Sequence, residues 1–287
     1  MRKFLMMFFV VLMSIALFGC NKSEYKFDGE FLAFETSLHD AYGPSGSHKV
    51  QQVTWVIVKI EKGKIVSYTI DERQGARSGA EGAYTYAWNA KTKKELKFDY
   101  GMKIASGIDK EWFEQAEAIE AEWLKNGIDA IKVDKDGYVD SFAGATMVAD
   151  NYVRLAKQAL ENAKIGKYQA IHADGTDLYS VHMIVEKKKV KELVIDTLQM
   201  ARNSSATGNF AWNAKTKQEL GYDYNMKPVS PIGREWFEQV NDLTDYIIKN
   251  GLVTSVPSDL TASVTVTTDH YFTILKQVFK YAGNAVK

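Results

Sequence analysis

The sequence predicts an α+β fold made of two tandem copies of one unit of about 120 residues, placed behind a secretory leader. Three observations predict it: an internal repeat, a hairpin pattern followed by two helical stretches in each copy, and a charged-then-apolar start that runs into the chain's single cysteine.

The repeat is the strongest of the three. Residues 87–115 read AWNAKTKKELKFDYGMKIASGIDKEWFEQ, and residues 211–239 read AWNAKTKQELGYDYNMKPVSPIGREWFEQ. They agree at 20 of 29 positions at an offset of 124 residues, as from Glu111 to Glu235. Upstream, the stretch closing at Arg77 resembles the one closing at Arg202. Downstream, the eighteen residues from Ala143 resemble those from Ala262. The copies span residues 29–164 and 165–287, with the joint near Lys164-Ile165-Gly166-Lys167. A unit of this length can bury a core of its own, unlike a short solenoid repeat.

Each copy opens with β-rich apolar residues. Residues 55–60, a turn at Glu61-Lys62-Gly63-Lys64, and residues 65–70 read as a hairpin, repeated at 181–185 and 190–195. A helix is expected over 110–125, because Trp112, Ala116, Ile119 and Trp123 recur at spacings of four, three and four. Gly127 and its counterpart Gly251 stop the two copies of it. A final helix is expected over 147–163, with Tyr152, Leu155, Ala156 and Ala159 on one face. Its twin carries Tyr271, Ile274, Leu275 and Val278.

The leader covers residues 1–19. Arg2 and Lys3 precede an apolar run from 4 to 18, shorter than the roughly 20 residues that span a bilayer. Cys20 follows Gly19 directly and reads as a lipobox cysteine, lipidated and then anchored to the membrane through its acyl chains. Residues 20–28 form the lipidated cysteine and its tether. With one cysteine, an intrachain disulfide, a cysteine-ligated iron–sulfur cluster and a thioether-linked haem are excluded. Thirty-six basic and thirty-six acidic residues leave no net charge, and no basic stripe argues for nucleic acid.

The segment before the final helix draws attention. Asp140-Ser141-Phe142-Ala143-Gly144-Ala145-Thr146 ends small residues in a hydroxyl at an expected helix start, where unpaired N–H groups suit a phosphate. Gly144 and Ala145 lack the bulk that keeps an anion from the backbone. Alone, Gly-Ala-Thr reads as an ordinary N-cap. The second copy has Asp259-Leu260-Thr261-Ala262-Ser263-Val264-Thr265, with Ser263 and Val264 replacing the glycine and alanine. The duplicated tryptophans Trp88, Trp112, Trp212 and Trp236 offer aromatic faces, with Trp112 and Trp236 read as core. Glu111/Glu235 and Gln115/Gln239 read as surface or capping residues. The five histidines show no metal-ligand spacing.

The seven residues ending at Thr146 resemble the flavinylation motif of the FMN-binding domain family, departing from it at Ala143. The resemblance implies covalent FMN, joined by a flavin transferase as a phosphoester to Thr146 and, by the matched spacing, to Thr265. Asp140, Gly144, Ala145, Asp259 and Ser263 would then belong to the cofactor-binding segments. The tandem arrangement behind a lipobox is similar to two-domain flavoproteins of extracellular electron transfer. It implies a lipid-anchored electron carrier on the extracytoplasmic face, rather than an enzyme with its own substrate. A membrane quinone-linked dehydrogenase would lie upstream and extracellular acceptors downstream. Two alternatives stay open: a lipoprotein that binds a small ligand without redox chemistry, and a precursor whose released signal peptide is a pheromone.

Overall fold

The structure, a computed structural model, describes residues 24–43 and 46–286. The leader and Cys20 lie outside the described residues. The chain folds as α+β, with two antiparallel sheets and helices packed on them. The first sheet runs in order β1 (Gly29–Gly43), β2 (Gly46–Glu61), β3 (Lys64–Ser78), β4 (Thr85–Trp88). The second runs β5 (Lys167–Asp174), β6 (Asp177–Glu186), β7 (Lys189–Leu198).

The expected hairpins are present and longer than their apolar runs. β2 pairs with β3 from Gln52↔Gln74 to Glu61↔Lys64. β6 pairs with β7 from Leu178↔Leu198 to Glu186↔Lys189. A bulge falls between Lys59 and Ile60 in one and between Ile184 and Val185 in the other, the same place in both copies. The first turn has positive φ at Lys62 (52°) and Gly63 (70°), the second at Lys187 (48°) and Lys188 (65°). Two positive-φ residues give a two-residue loop the twist that matches its strands.

Three short and four longer helices matter for the site. The short α1 (Lys93–Leu96) precedes α2 (Trp112–Asn126) and α3 (Asp150–Ile165). After α4 (Ser204–Thr207), α5 (Lys217–Leu220), α6 (Trp236–Asn250) and α7 (Asp269–Ala282) repeat that order. Each of α2 and α6 buries the stripe that periodicity picks out, including Trp112, Ala116, Ile119 and Trp123 in α2. Gly127 (φ 84°) and Gly251 (φ 88°) end them in backbone geometry that a side chain disfavours. α2 packs on β3 and α3 on β1 and β2. Likewise α6 packs on β7 and α7 on β5 and β6.

The final helices begin later than periodicity suggests. α3 starts at Asp150, not at 147, because residues 138–148 are held by backbone pairs. Val139 N donates to Met147 O at 3.1 Å, and Tyr138 bridges Val148. Met147 is buried core in this extended segment, so its apolar character is satisfied without a helix.

One apolar core runs through both halves. It joins Phe31, Val56, Ile119 and Leu155 to Tyr168, Val181, Leu243 and Ile274. Phe31 stacks on Tyr168 at 4.6 Å between centroids. Asn162 Nδ2 donates to Leu32 O (2.9 Å) and to Gln169 Oε1 (2.8 Å). The chain passes from α3 to β5 through Gly166 alone, at φ 68°, where a Cβ would come within 2.8 Å of Val185 O. A second seam joins the far ends of β1–β4 to the segment before α5. There Trp88 faces Trp212 at 6.0 Å, and Trp212 Nε1 donates to Ser37 O at 3.2 Å.

Candidate functional site

The same scaffold is built twice. Glu111 sits at the N-cap of α2 and Glu235 at that of α6, each receiving a Glu side chain three residues on at its backbone N–H. Their own carboxylates turn back and fix the preceding loop. Glu111 accepts from Met102 N (2.8 Å) and Lys103 N (3.2 Å), and Glu235 from Met226 N (2.8 Å) and Lys227 N (3.0 Å). These are capping residues, as the sequence suggests, but buried rather than on the surface.

One turn further, Gln115 and Gln239 are fully buried and reach the threonines. Gln115 Oε1 accepts from Thr146 N at 2.8 Å, and Gln239 Oε1 accepts from Thr265 N at 2.8 Å and from its hydroxyl at 3.2 Å. Each amide is oriented by donating to a carbonyl, Gln115 to Lys110 O and Gln239 to Arg234 O, both at 3.3 Å. Thr146 Oγ1 donates to Ser106 O at 2.7 Å. Both threonines are exposed. Each threonine is thus an exposed residue on a backbone pinned by a buried amide.

The helix-start expectation for these threonines does not hold. The helices begin at Asp150 and Asp269, four residues beyond, and their N-caps are Ala149 and Thr268. The N–H of each threonine is already taken by glutamine, so it is no vacant anion donor. Gly144 has a different reason from phosphate access: a Cβ there would meet the Phe142 ring at 2.2 Å. Ala145 and Val264 point into the core, at 2% and 5% exposure, so Val264 does not crowd the acceptor. Ser263 Oγ closes a local turn on Leu260 O. Asp140 and Asp259 are exposed.

A cation accompanies each acceptor loop, and the sequence reading passed over it. Lys110 Nζ donates to Gly144 O and Arg234 Nη1 to Ser263 O, both at 3.4 Å, two residues before the threonine. The signal was available, since basic residues stand at matched positions of the repeat.

Beside Thr265 lies a cavity of about 570 Å³ walled by Tyr179, Lys217, Trp236, His270 and Tyr271. Its size falls within the range of small-molecule sites, roughly 300–1,000 Å³. Lys217 Nζ stands 5.0 Å from the Tyr224 ring centroid and 5.4 Å from that of Trp236. No carboxylate among the described residues pairs with it. Tyr179 stacks on His270 at 4.3 Å, and Trp236 Nε1 donates to Tyr271 OH at 2.8 Å. A larger depression of about 1100 Å³ shares Tyr224, Met226 and Val229 with this cavity.

The first half places Lys93 the same way, 5.0 Å from Tyr100 and 5.3 Å from Trp112. There Glu72 takes the position that Thr197 holds in β7. Its carboxylate pairs with Lys93 and accepts the Tyr152 hydroxyl, nearly excluded from water. Burial, and then the Glu72 charge, raise the Tyr152 phenol well above its ordinary value. Opposite Glu72, Thr54 stands where β6 has Tyr179. The two halves therefore share a threonine pinned by a buried glutamine but differ beside it: an internal ion pair in the first, an aromatic cavity with an unpaired cation in the second.

Comparison with known proteins finds no matching family model, no similar curated protein and no similar solved structure. Among the described residues no cluster of three or more His, Cys, Asp or Glu is placed to hold a metal ion. Nor, among them, is any helix long and apolar enough to cross a membrane.

Proposed function

We propose that this chain is a membrane-anchored extracytoplasmic flavoprotein that carries FMN covalently on threonine and relays electrons in extracellular electron transfer. The observation that carries the reading is the paired cradle: in both halves the motif's last threonine is exposed and pinned through its N–H by a buried glutamine. The cavity at Thr265 would seat a flat aromatic ring beside the partly exposed Tyr179 and His270, over a floor in which Trp236 and Tyr271 are buried. Bound FMN would supply the electron chemistry itself.

The residues present define what the chain contributes. Thr265 Oγ1 or Thr146 Oγ1 would lose its proton as an oxygen–phosphorus bond forms. The hydroxyls face only carbonyl oxygens, of Ser106, Gln115 and Gln239, which are poor bases. The base, the activated flavin phosphate and the removal of its leaving group would thus fall to a separate transferase. Lys110 stands near enough to its acceptor loop to offset a phosphate's charge, whereas Arg234 is already paired with the Asp242 carboxylate. Lys217 would stabilise negative charge on a ring seated in the cavity. In the first half Glu72 already neutralises Lys93, so a ring there would meet a different field.

Lipidation at Cys20 would hold the protein on the outer face of the membrane, between a quinone-linked dehydrogenase and extracellular acceptors. The decisive measurement is intact mass with visible absorbance on protein co-produced with a flavin transferase. Two additions are expected, with Thr146→Val and Thr265→Val each removing one and the double variant colourless. A colourless wild type under those conditions, or additions that survive the double change, would overturn the reading. The ligand-binding alternative predicts that colourless outcome.

A further inference from the structure

A different cavity, of about 510 Å³, lies where the N-terminal segment meets the turns of both long hairpins. Lys26, Lys62, Lys187 and Lys188 line it and are exposed, while Tyr25, Phe27 and Ala285 supply its less exposed apolar wall. Three separate stretches of chain converge to place these four lysines together. None of the four has a carboxylate partner among the described residues. The acid in the same wall, Asp28, is committed to backbone, accepting from Lys62 N at 2.9 Å and Gly63 N at 2.8 Å. Of the acids flanking the turns, Glu61 is paired with Lys59 at 2.7 Å. Glu24 and Glu186 are the others.

Turn chemistry does not call for lysine here. Lys62, Lys187 and Lys188 all have positive φ, a geometry that favours Asn or Gly in a two-residue hairpin loop. Lysine at three such positions puts charge at the tips against local preference, on a chain whose net charge is zero. The first described residue, Glu24, is tied to this cavity's wall by donating its N–H to Gly63 O at 3.0 Å. Three residues separate it from Cys20, four steps along the chain that reach at most about 14 Å when extended.

We infer that this lysine-rimmed cavity is a docking face for anionic phospholipid headgroups, which holds the folded body against the membrane in one orientation. The inference takes its orientation from the reading of Cys20 as the lipid anchor. That anchor would keep the lysines within a short distance of the bilayer, where attraction over the roughly 8–10 Å Debye length acts. The apolar wall gives the glycerol and first methylenes of a lipid a surface to lie on. A single tether restrains position but not rotation, and a second, electrostatic contact removes that freedom.

The test uses the unlipidated chain from Asn21 to Lys287, so that docking is read apart from acylation. Co-sedimentation is measured with phosphatidylcholine vesicles with and without phosphatidylglycerol. Binding to the anionic vesicles alone is expected, weakened by salt. It should fall at least about tenfold in the triple variant Lys62→Gln, Lys187→Gln, Lys188→Gln, by the contribution of each lysine near a charged surface. The triple variant Lys91→Gln, Lys103→Gln, Lys135→Gln removes the same charge elsewhere and should keep binding. Equal binding by both triple variants, or none by the wild type, overturns the docking face. So does displacement by inorganic phosphate at matched ionic strength, which would mark a site for free anions. Intact mass of the protein extracted from its own membranes reports separately whether Cys20 is acylated.

Discussion

At the scale of single residues, the informative positions are those where the two copies differ. Glu72 and Lys93 form an ion pair with side chains 3% and 10% exposed, in the place where the second half has Thr197 and an unpaired Lys217. Removing one partner of such a pair leaves the other buried and uncompensated. Glu72→Gln is therefore expected to destabilise the fold by about 3–5 kcal/mol. Replacing both partners with apolar groups is far milder, so Glu72→Leu with Lys93→Met should recover most of the loss. Denaturant melts of Glu72→Leu, Lys93→Met and the double variant decide this. Additive losses would show that the pair is not coupled. The same difference was readable in the sequence only as a mismatch at one position of the repeat. Nothing in one β-strand residue announces that its carboxylate will meet a lysine from a short helix and a tyrosine from a longer one. Gln115 and Gln239 were likewise visible as identical residues in both copies. Their reach to a threonine 31 or 26 residues away depends on tertiary packing that helical periodicity does not encode.

At the scale of elements, repetition made the hairpins and the helices α2 and α6 legible, because the same pattern occurs twice with the same glycine stop. The start of α3 was not legible. Met147 and Val148 continue the apolar spacing of the helix, yet strand-like pairing to Tyr138 and Val139 claims their backbone first. Strands β1 and β5 carried no hairpin signal of their own and are defined by the partners they join. The stacked set of His172, His270 and Tyr179 ties β5 and β6 to α7, with ring centroids 5.5 Å apart for the histidines. Burial first, then His270, and then Arg73 depress His172 below its ordinary value of 6.5, against the opposing pull of Asp174. The folded state thus holds that proton less well than the unfolded one. Stability should be intact above 6.5 and lost as pH falls from there through the depressed value. His39, lowered chiefly by burial and by Lys93, adds in the same direction. Melting temperatures across this window should fall more steeply for the wild type than for His172→Gln. Identical slopes would show that His172 takes no part.

At the scale of the whole molecule, duplication in sequence did not produce two separately packed bodies. Each copy is long enough to own a core, yet Phe31 stacks on Tyr168, Asn162 bonds to both halves, and α7 packs on β1 as well as on its own sheet. With only Gly166 between α3 and β5, there is no slack to let one half open while the other stays shut. Cooperative unfolding follows from shared burial: exposing either half strips apolar surface from its neighbour, so no half-folded state is favoured. Equilibrium denaturation should therefore give a single transition, with tryptophan fluorescence and far-ultraviolet circular dichroism coincident. Two resolved steps, or a native-like fragment from cleavage at Gly166, would show that the seam contributes little. The prediction bears on the proposed relay, because a rigid seam fixes the separation of Thr146 and Thr265. Gly166→Val, which forces a side chain against Val185 O, is the variant that loosens the seam without touching either acceptor. It should lower the melting temperature, and under the proposed function flavin addition at both threonines should persist.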